Sequence, residues 1–321
     1  MMKRLVVCLV ILGGVALSGI SEQVPPGIGA ASFARIGIDA RPLAMGGAFV
    51  AVSEGNAIPY YNPAQLARPA KLALGGMYSQ IGGADLGITF QSLDVRGYLG
   101  TQTPSYTGIG VGATWVRMEI ADIPLWNEDS PDRIDYFTAT GSLFQVSGGI
   151  QVLDQLAAGI SVKIYQERIL EGSGDGIGFD FGVLGSFDVF NTPVTIGLNS
   201  MDTGRSTIKW HNTTGEPVNY VPWINKIGLS ASLLDKLVLI VGDFDWSVGR
   251  PLGEQKVHLG LEVCPLPEIA LRGGWNGEIG KEGGFSAGIG VHLFESISID
   301  YAYVPGTNFG TTHVLSTQFS F

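Results

Sequence analysis

The sequence predicts an all-β protein, a transmembrane antiparallel β-barrel of about fourteen strands with an N-terminal hatch or plug segment. Three observations carry this expectation. The chain ends on a period-two strand that runs to its last residue. Alternating segments of about ten residues follow one another backward from that end. The links between them alternate short and long, as the two ends of a membrane barrel require.

In chain order, Lys3 and Arg4 precede an apolar run from Leu5 to Leu17, and the small or polar Ser18, Gly19 and Ser21 follow. Residues 1–21 therefore read as a secretory signal peptide, too short in its apolar part to cross a bilayer. Cys8 lies inside the apolar run and would leave with it, so Cys264 remains alone and no intramolecular disulfide can form. No later stretch is long and apolar enough for a transmembrane helix. Yet mean hydropathy is +0.26 and only 15% of residues are charged, against about 25% in ordinary soluble domains. Glycine, at 47 of 321, has roughly twice its usual share, which suits strands that bend or backbones that approach closely. The net charge of −10 becomes −12 once Lys3 and Arg4 are removed, which excludes nucleic acid as a partner.

Residues 22–70 are small, polar and turn-rich, with a short helix expected around Leu43 to Val52 and breaks at Pro59 and Pro63. A segment of this size suits a hatch inside the wide lumen of a fourteen-stranded barrel spanning residues 71–321; the alternative is a periplasmic tail.

Strands are expected near 71–80, 85–99, 106–119, 136–151, 156–168, 177–189, 193–202, 222–233, 236–247, 256–264, 267–276, 284–294, 296–304 and 311–321. In the four strands before the last the charges choose one face. Lys256, His258, Glu262, Glu268, Arg272, His292 and Asp300 oppose Val257, Leu259, Leu261, Leu271, Ile289 and Tyr301, so lipid would meet the second set and the lumen the first. Leu237, Leu239 and Val241 share parity with Asp243 and Asp245, which predicts apolar side chains turned inward on one strand. Short links fall at Asp154, Asn191-Thr192, Asp235, Pro265-Leu266 and Glu295. Long ones fall at 120–135, 169–176, 203–221, 248–255, 277–283 and 305–310. Outer-membrane barrels put short turns in the periplasm and long loops outside. The final strand sets His313, Leu315, Thr317, Phe319 and Phe321 on its outer face.

Within the N-terminal segment stand Asp39-Ala-Arg-Pro-Leu-Ala-Met-Gly-Gly-Ala-Phe-Val-Ala-Val-Ser53 and Asn56-Ala-Ile-Pro-Tyr-Tyr-Asn-Pro-Ala-Gln-Leu66. With Ala270-Leu-Arg-Gly-Gly-Trp275, Phe285-Ser-Ala-Gly-Ile-Gly290, Asp300-Tyr-Ala-Tyr303 and Gly310-Thr-Thr-His-Val-Leu315, these resemble the PorV/PorQ family of bacterial outer-membrane proteins, relatives of the FadL-type transporters. The resemblance implies a fourteen-stranded barrel in the outer membrane, with Arg41, Pro42, Gly46, Gly47, Asn62, Pro63 and Ala64 in the hatch motif. The chain departs from the family at Gln65, where Gly is common, and at Glu54-Gly55, where an acidic pair is common. The middle, about 100–255, matches only in pattern. A terminal aromatic, here Phe321 with Phe319, is also what the barrel-assembly machinery reads in similar proteins.

Other motifs point nowhere. Gly284-Phe-Ser-Ala-Gly288, Asp300 and His313 follow the order of a hydrolase triad, but no helix follows the elbow and His313 takes the opposite face, so no catalytic residue is expected. Gly172 to Gly178 lacks the Lys-Ser or Lys-Thr ending of a phosphate loop and reads as a flexible loop. His211, His258, His292 and His313 lack metal spacing, so neither a metal nor another cofactor is expected. Two functions follow from the resemblance and the lumen. One is passage of hydrophobic or amphipathic small molecules across the outer membrane. The other is a PorV-like accessory role in type IX protein secretion, binding exported cargo at the external loops, where acidic residues surround Trp126.

Overall fold

A computed structural model describes residues 30–321, except 56, 69–71, 83–85, 101–107, 128–129, 249–254, 280, 295 and 307–309, and except the side chains of residues 127 and 130–134. The expected signal peptide lies outside the described residues.

Among the described residues, sixteen strands form one sheet. They are β1 Ala73–Ile81, β2 Ile88–Leu99, β3 Ile109–Asn127, β4 Ser130–Leu153, β5 Leu156–Ile169, β6 Gly172–Val189, β7 Thr192–Met201 and β8 Thr207–His211. β9 Val218–Tyr220, β10 Ile224–Leu233, β11 Val238–Ser247, β12 Lys256–Leu266, β13 Ile269–Glu278, β14 Gly284–Leu293, β15 Ile297–Val304 and β16 Thr312–Ser320 complete it. Fourteen of them close a barrel of antiparallel neighbours. The ring shuts where β16 meets β1, with Ala73 opposite Ser320 and Gln80 opposite His313. Beyond the ladder, the Phe321 N–H donates to Leu72 O at 2.8 Å, so the aromatic end is tied into the wall. Closure pairs β1 with β16, whose edges would otherwise lie open.

Alternation sorts the side chains. Leu93, Val146, Leu229 and Phe285 stand exposed on the outer face, whereas Phe90, Ser92, Gln145, Ser147, Asp243 and Ser286 are buried on the inner one. An outer face this apolar would be unstable in water and is at home in lipid.

Several links differ from expectation. The stretch 120–135 is no loop but the far end of the β3–β4 hairpin. Pairing of β2 with β3 stops at Ile120 and pairing of β4 with β5 begins at Ala139, so the hairpin projects beyond its neighbours. Gly172 to Gly178 is likewise strand rather than flexible loop, because a tight turn at Leu170-Glu171 starts β6 at once. Its upper half pairs with β8 (Ser173 to Ile177 against His211 to Thr207), and its lower half with β7. The link 203–221 therefore contains the β8–β9 hairpin, whose Ile208 and Trp210 are buried. The Pro265-Leu266 pair belongs to β12, and the turn lies one step later at Pro267-Glu268.

The segment 30–68 threads the lumen. The Ala30 N–H donates to Tyr220 O in β9, at the long-loop end, and Ala31 N–H to Glu167. Short helical turns follow at Ser32–Arg35, Ala40–Ala44, Ile58–Tyr61 and Pro63–Ala67. The helix expected at Leu43 to Val52 is thus earlier and shorter. Gly46 and Gly47, at φ +68° and +84°, turn the chain out of it. Pro59 and Pro63 sit in the first turns of the next two, where a missing N–H costs nothing. This hatch and the inner wall share one core that includes Phe33, Phe49, Tyr60, Tyr61, Phe90, Val116, Leu143, Tyr165, Ile208 and Trp210.

Candidate functional site

The interface between hatch and wall is where the unusual residue types gather. It has two kinds of contact, one steric and one ionic.

The steric kind explains much of the glycine. A Cβ on Gly110 of β3 would stand 1.7 Å from Leu66 O, and one on Gly159 of β5 2.3 Å from the Pro63 carbonyl carbon. On Gly182 of β6 it would meet Asn62 Oδ1 at 2.1 Å, on Gly197 of β7 Val50 O at 2.3 Å, and on Gly274 of β13 Gly46 N at 2.1 Å. Real Cβ atoms do not approach so closely, so these inner-face positions accept only glycine while the hatch is seated.

The ionic kind runs through Arg41. Its guanidinium donates from Nε to Glu262 Oε2 (2.8 Å), from Nη2 to Glu262 Oε1 (2.7 Å) and from Nη1 to the Glu54 carbonyl (2.7 Å). Glu262 also accepts from Arg272 Nε at 2.6 Å, and Arg272 Nη1 donates to Asp300 Oδ1 at 2.5 Å. Two cations and two carboxylates thus alternate from hatch to wall, each charge partnered, as burial demands. Polar side chains of the wall fasten the remaining hatch backbone. Asp243 Oδ2 accepts from Phe49 N (2.6 Å) and Val50 N (2.9 Å). Ser286 Oγ donates to Ala44 O and accepts from Gly46 N, both at 3.0 Å, and Ser316 Oγ accepts from Ala40 N at 2.6 Å. His258 Nδ1 donates to Gly46 O at 2.7 Å, while its Nε2 lies 3.2 Å from Asp245, which also holds Lys226 at 2.6 Å.

Within the hatch, Asn62 Oδ1 caps Ala64 N at 3.1 Å and its Nδ2 donates to Val50 O at 3.0 Å. Gln65 donates to the carbonyls of Phe49 and Val50, so the side chain at which the chain departs from the PorV/PorQ pattern it resembles has work inside the hatch. Asp39 caps Ala40–Ala44 through Arg41 N at 3.2 Å, in a backbone conformation (φ +69°, ψ +135°) that non-glycine residues avoid. Burial, and after it the charges of Asp300 and Asp94, push its carboxyl up to about 7.

Of the lumen residues expected from sequence, His258, Glu262, Arg272 and Asp300 therefore meet the hatch or each other. Lys256 and Glu268 do not join them: Lys256 is exposed at the start of β12 and Glu268 is exposed in the turn before β13. His292 sits near that turn, its Nδ1 3.4 Å from Pro267 O. Sequence reasoning missed Asp243, Ser286 and Ser316 as hatch anchors, and the buried set of Lys163 with Asp180 (2.8 Å), Asp202 (3.3 Å) and Tyr165. Inward parity alone marked them; their partners lie far away in sequence. Leu239 and Val241 point inward and pack on the hatch core, while Leu237 lies in a turn. Ser286 and Asp300 are engaged as described, and His313 is outside the barrel with its Nδ1 2.6 Å from Tyr301 OH, so the three do not converge. Phe319 and Phe321 are exposed on the outer side of the closing strand.

At the tight-turn end a cavity of 790 Å³ separates the hatch from the wall, between Asp39, Arg41 and Glu54 on one side and Ser298, Asp300 and Gln318 on the other.

Solved structures share this architecture. The Pseudomonas putida toluene transporter TodX superposes with a TM-score of 0.61 at 13% identity, over 89% of this chain and 98% of that one. The fold is that of the FadL-type barrels. The monoaromatic hydrocarbon channel CymD (TM-score 0.60, 13% identity) and the Ralstonia pickettii toluene transporter TbuX (0.58, 14%) each match over the same 89% of this chain and 98% of their own. No protein-family model matches the chain, and no curated protein does.

Proposed function

We propose that the protein is an outer-membrane channel for hydrophobic or amphipathic small molecules, with the hatch as its gate. One observation carries the reading: the lumen beneath the β8–β9 hairpin is an apolar core, shared by Ile208, Trp210, Phe33, Val116 and Leu143, rather than the water-filled charged constriction of a general porin. Apart from its chain connection to β1, the hatch is held to the wall among the described residues by side-chain hydrogen bonds, ion pairs and glycine contacts, so it can shift without breaking the barrel. The named functions of TodX, CymD and TbuX agree with this reading. Protein expressed in cells that lack hydrocarbon channels is expected to speed toluene uptake above an empty-vector strain. Unchanged uptake with folded barrel in the outer membrane would refute it.

A second reading, an accessory of protein secretion in the manner of PorV, is favoured by the projecting β3–β4 hairpin. Among the described residues, those beyond Ala121 and before Ala139 take no ladder partner outside the hairpin, which leaves its edges open to a partner strand. Affinity capture from native membranes that recovers secretion machinery or cargo supports this reading, and recovery of bound lipid alone speaks for the first.

A further inference from the structure

The hatch is not sealed evenly around the ring. From β3 round to β14, wall glycines let it approach closely: Gly110, Gly159, Gly197 and Gly274 lie against hatch backbone, and Gly182 and Gly288 against the Asn62 and Ala44 side chains, each with less room than one methyl group needs. The seal lapses between β14 and β16 at the tight-turn end, where the 790 Å³ cavity opens beside Ser298, Gln318 and Ser320. The charge around this opening is unequal. Arg41, Glu262, Arg272 and Asp300 cancel in pairs, and Glu54 shares the solvent-exposed Lys236 at 3.3 Å. Glu268 remains as exposed acidic lining, and Asp39, buried with its carboxyl raised to about 7, adds only part of a charge.

We propose that this seam is the periplasmic exit of the channel and that its acidic rim, with Glu268 at the mouth, favours uncharged passengers over carboxylates. This deepens the transport reading and rests on it. A solute leaving the lumen here passes between Asp39 and Arg41 of the hatch and Ser298 of the wall, without lifting the hatch off its glycine track. A carboxylate passing within about 10 Å of Glu268 is repelled by it, and replacing that glutamate with a cation changes the sign of the interaction.

The test measures protein-dependent uptake of dodecanol and of dodecanoate, equal in chain length, by cells carrying the full protein, with folded barrel quantified on heat-modifiability gels. Ser298→Trp, which fills the seam, is expected to cut uptake of both probes severalfold, whereas Ile299→Trp on the outer face leaves both unchanged. Ser320→Trp serves in its place if Ser298→Trp does not fold. Glu268→Lys is expected to raise the dodecanoate to dodecanol ratio about threefold, after allowance for screening. Full uptake through a folded, filled seam overturns the exit. A blocked seam with an unchanged ratio in Glu268→Lys overturns the selectivity. Uptake of neither probe by the unaltered protein overturns the transport reading itself, and this proposal with it.

Discussion

Arg41→Ala tests whether the ion pair, rather than the apolar core, keeps the hatch seated. The side chain makes two bonds to Glu262 and one to the Glu54 carbonyl, and its guanidinium lies 5.6 Å from the centre of the Phe49 ring. Arg41 is 16% exposed and the Glu262 side chain 7%, so water compensates little. Orphaning one member of a buried pair costs about 3–5 kcal/mol. Glu262 is not orphaned, however, because Arg272 remains at 2.6 Å. The expected loss is therefore smaller, about 2–3 kcal/mol, which multiplies the released fraction of the hatch about 30- to 150-fold. Hydrogen exchange in detergent reads this directly. Amides of residues 39–55 should exchange faster by that factor, while those of β3 to β7 keep their protection and the barrel keeps its gel mobility. Adding Glu262→Gln to Arg41→Ala should cost less than the sum of the single effects, by about 1 kcal/mol, as interacting neighbours do. A change in exchange below about threefold in a folded barrel, under 1 kcal/mol, would show that the hatch is held by its core and glycine contacts alone.

Two further outcomes follow from the same interface. Gly110→Ala drives a methyl group into Leu66 O and should cost about 1–3 kcal/mol, seen as deprotection of residues 62–67, whereas Gly273→Ala, with nothing within 4 Å, should leave exchange unchanged; equal effects would refute the steric account. Because the Asp39 carboxyl is raised to about 7, its contribution to hatch seating is complete below the ordinary carboxylate range and is lost as pH rises through 7. Exchange of residues 39–55, corrected for intrinsic rates, should then be faster at alkaline than at mildly acidic pH, and Asp39→Asn should flatten the profile; protection that grows with pH would contradict this.

Most of the barrel was legible because the strand is a local object. A period of two, set by the pleat, puts Ile297, Ile299 and Tyr301 on one face and Ser298 and Asp300 on the other wherever the strand lies in space. Link lengths were less legible. The β3–β4 hairpin and the start of β6 looked like loops because Asp, Gly and Pro dominate them, yet ladder bonds to neighbours held them extended. The helix in the hatch was misplaced for a related reason: a five-residue turn is too short to show a period, and Asp39 and Gly46 set its ends through contacts with Ser316 and Trp275 in the wall.

The candidate site divides in the same way. Parity placed Glu262, Arg272 and Asp300 on one inner face, and the resemblance to the PorV/PorQ pattern marked Arg41, Gly46 and Asn62. Which acid meets which base was not written locally. Arg41 and Glu262 are 221 residues apart, and Gly110 and Leu66 belong to different parts of the molecule. Alternation, turn chemistry and composition thus determined a closed, lipid-facing wall and a separate N-terminal segment, since each depends on a residue and its near neighbours. The seating of that segment, the glycine track beneath it and the open seam at β14 to β16 were decided only in the tertiary structure, because they depend on distances between atoms that the chain brings together only by closing on itself.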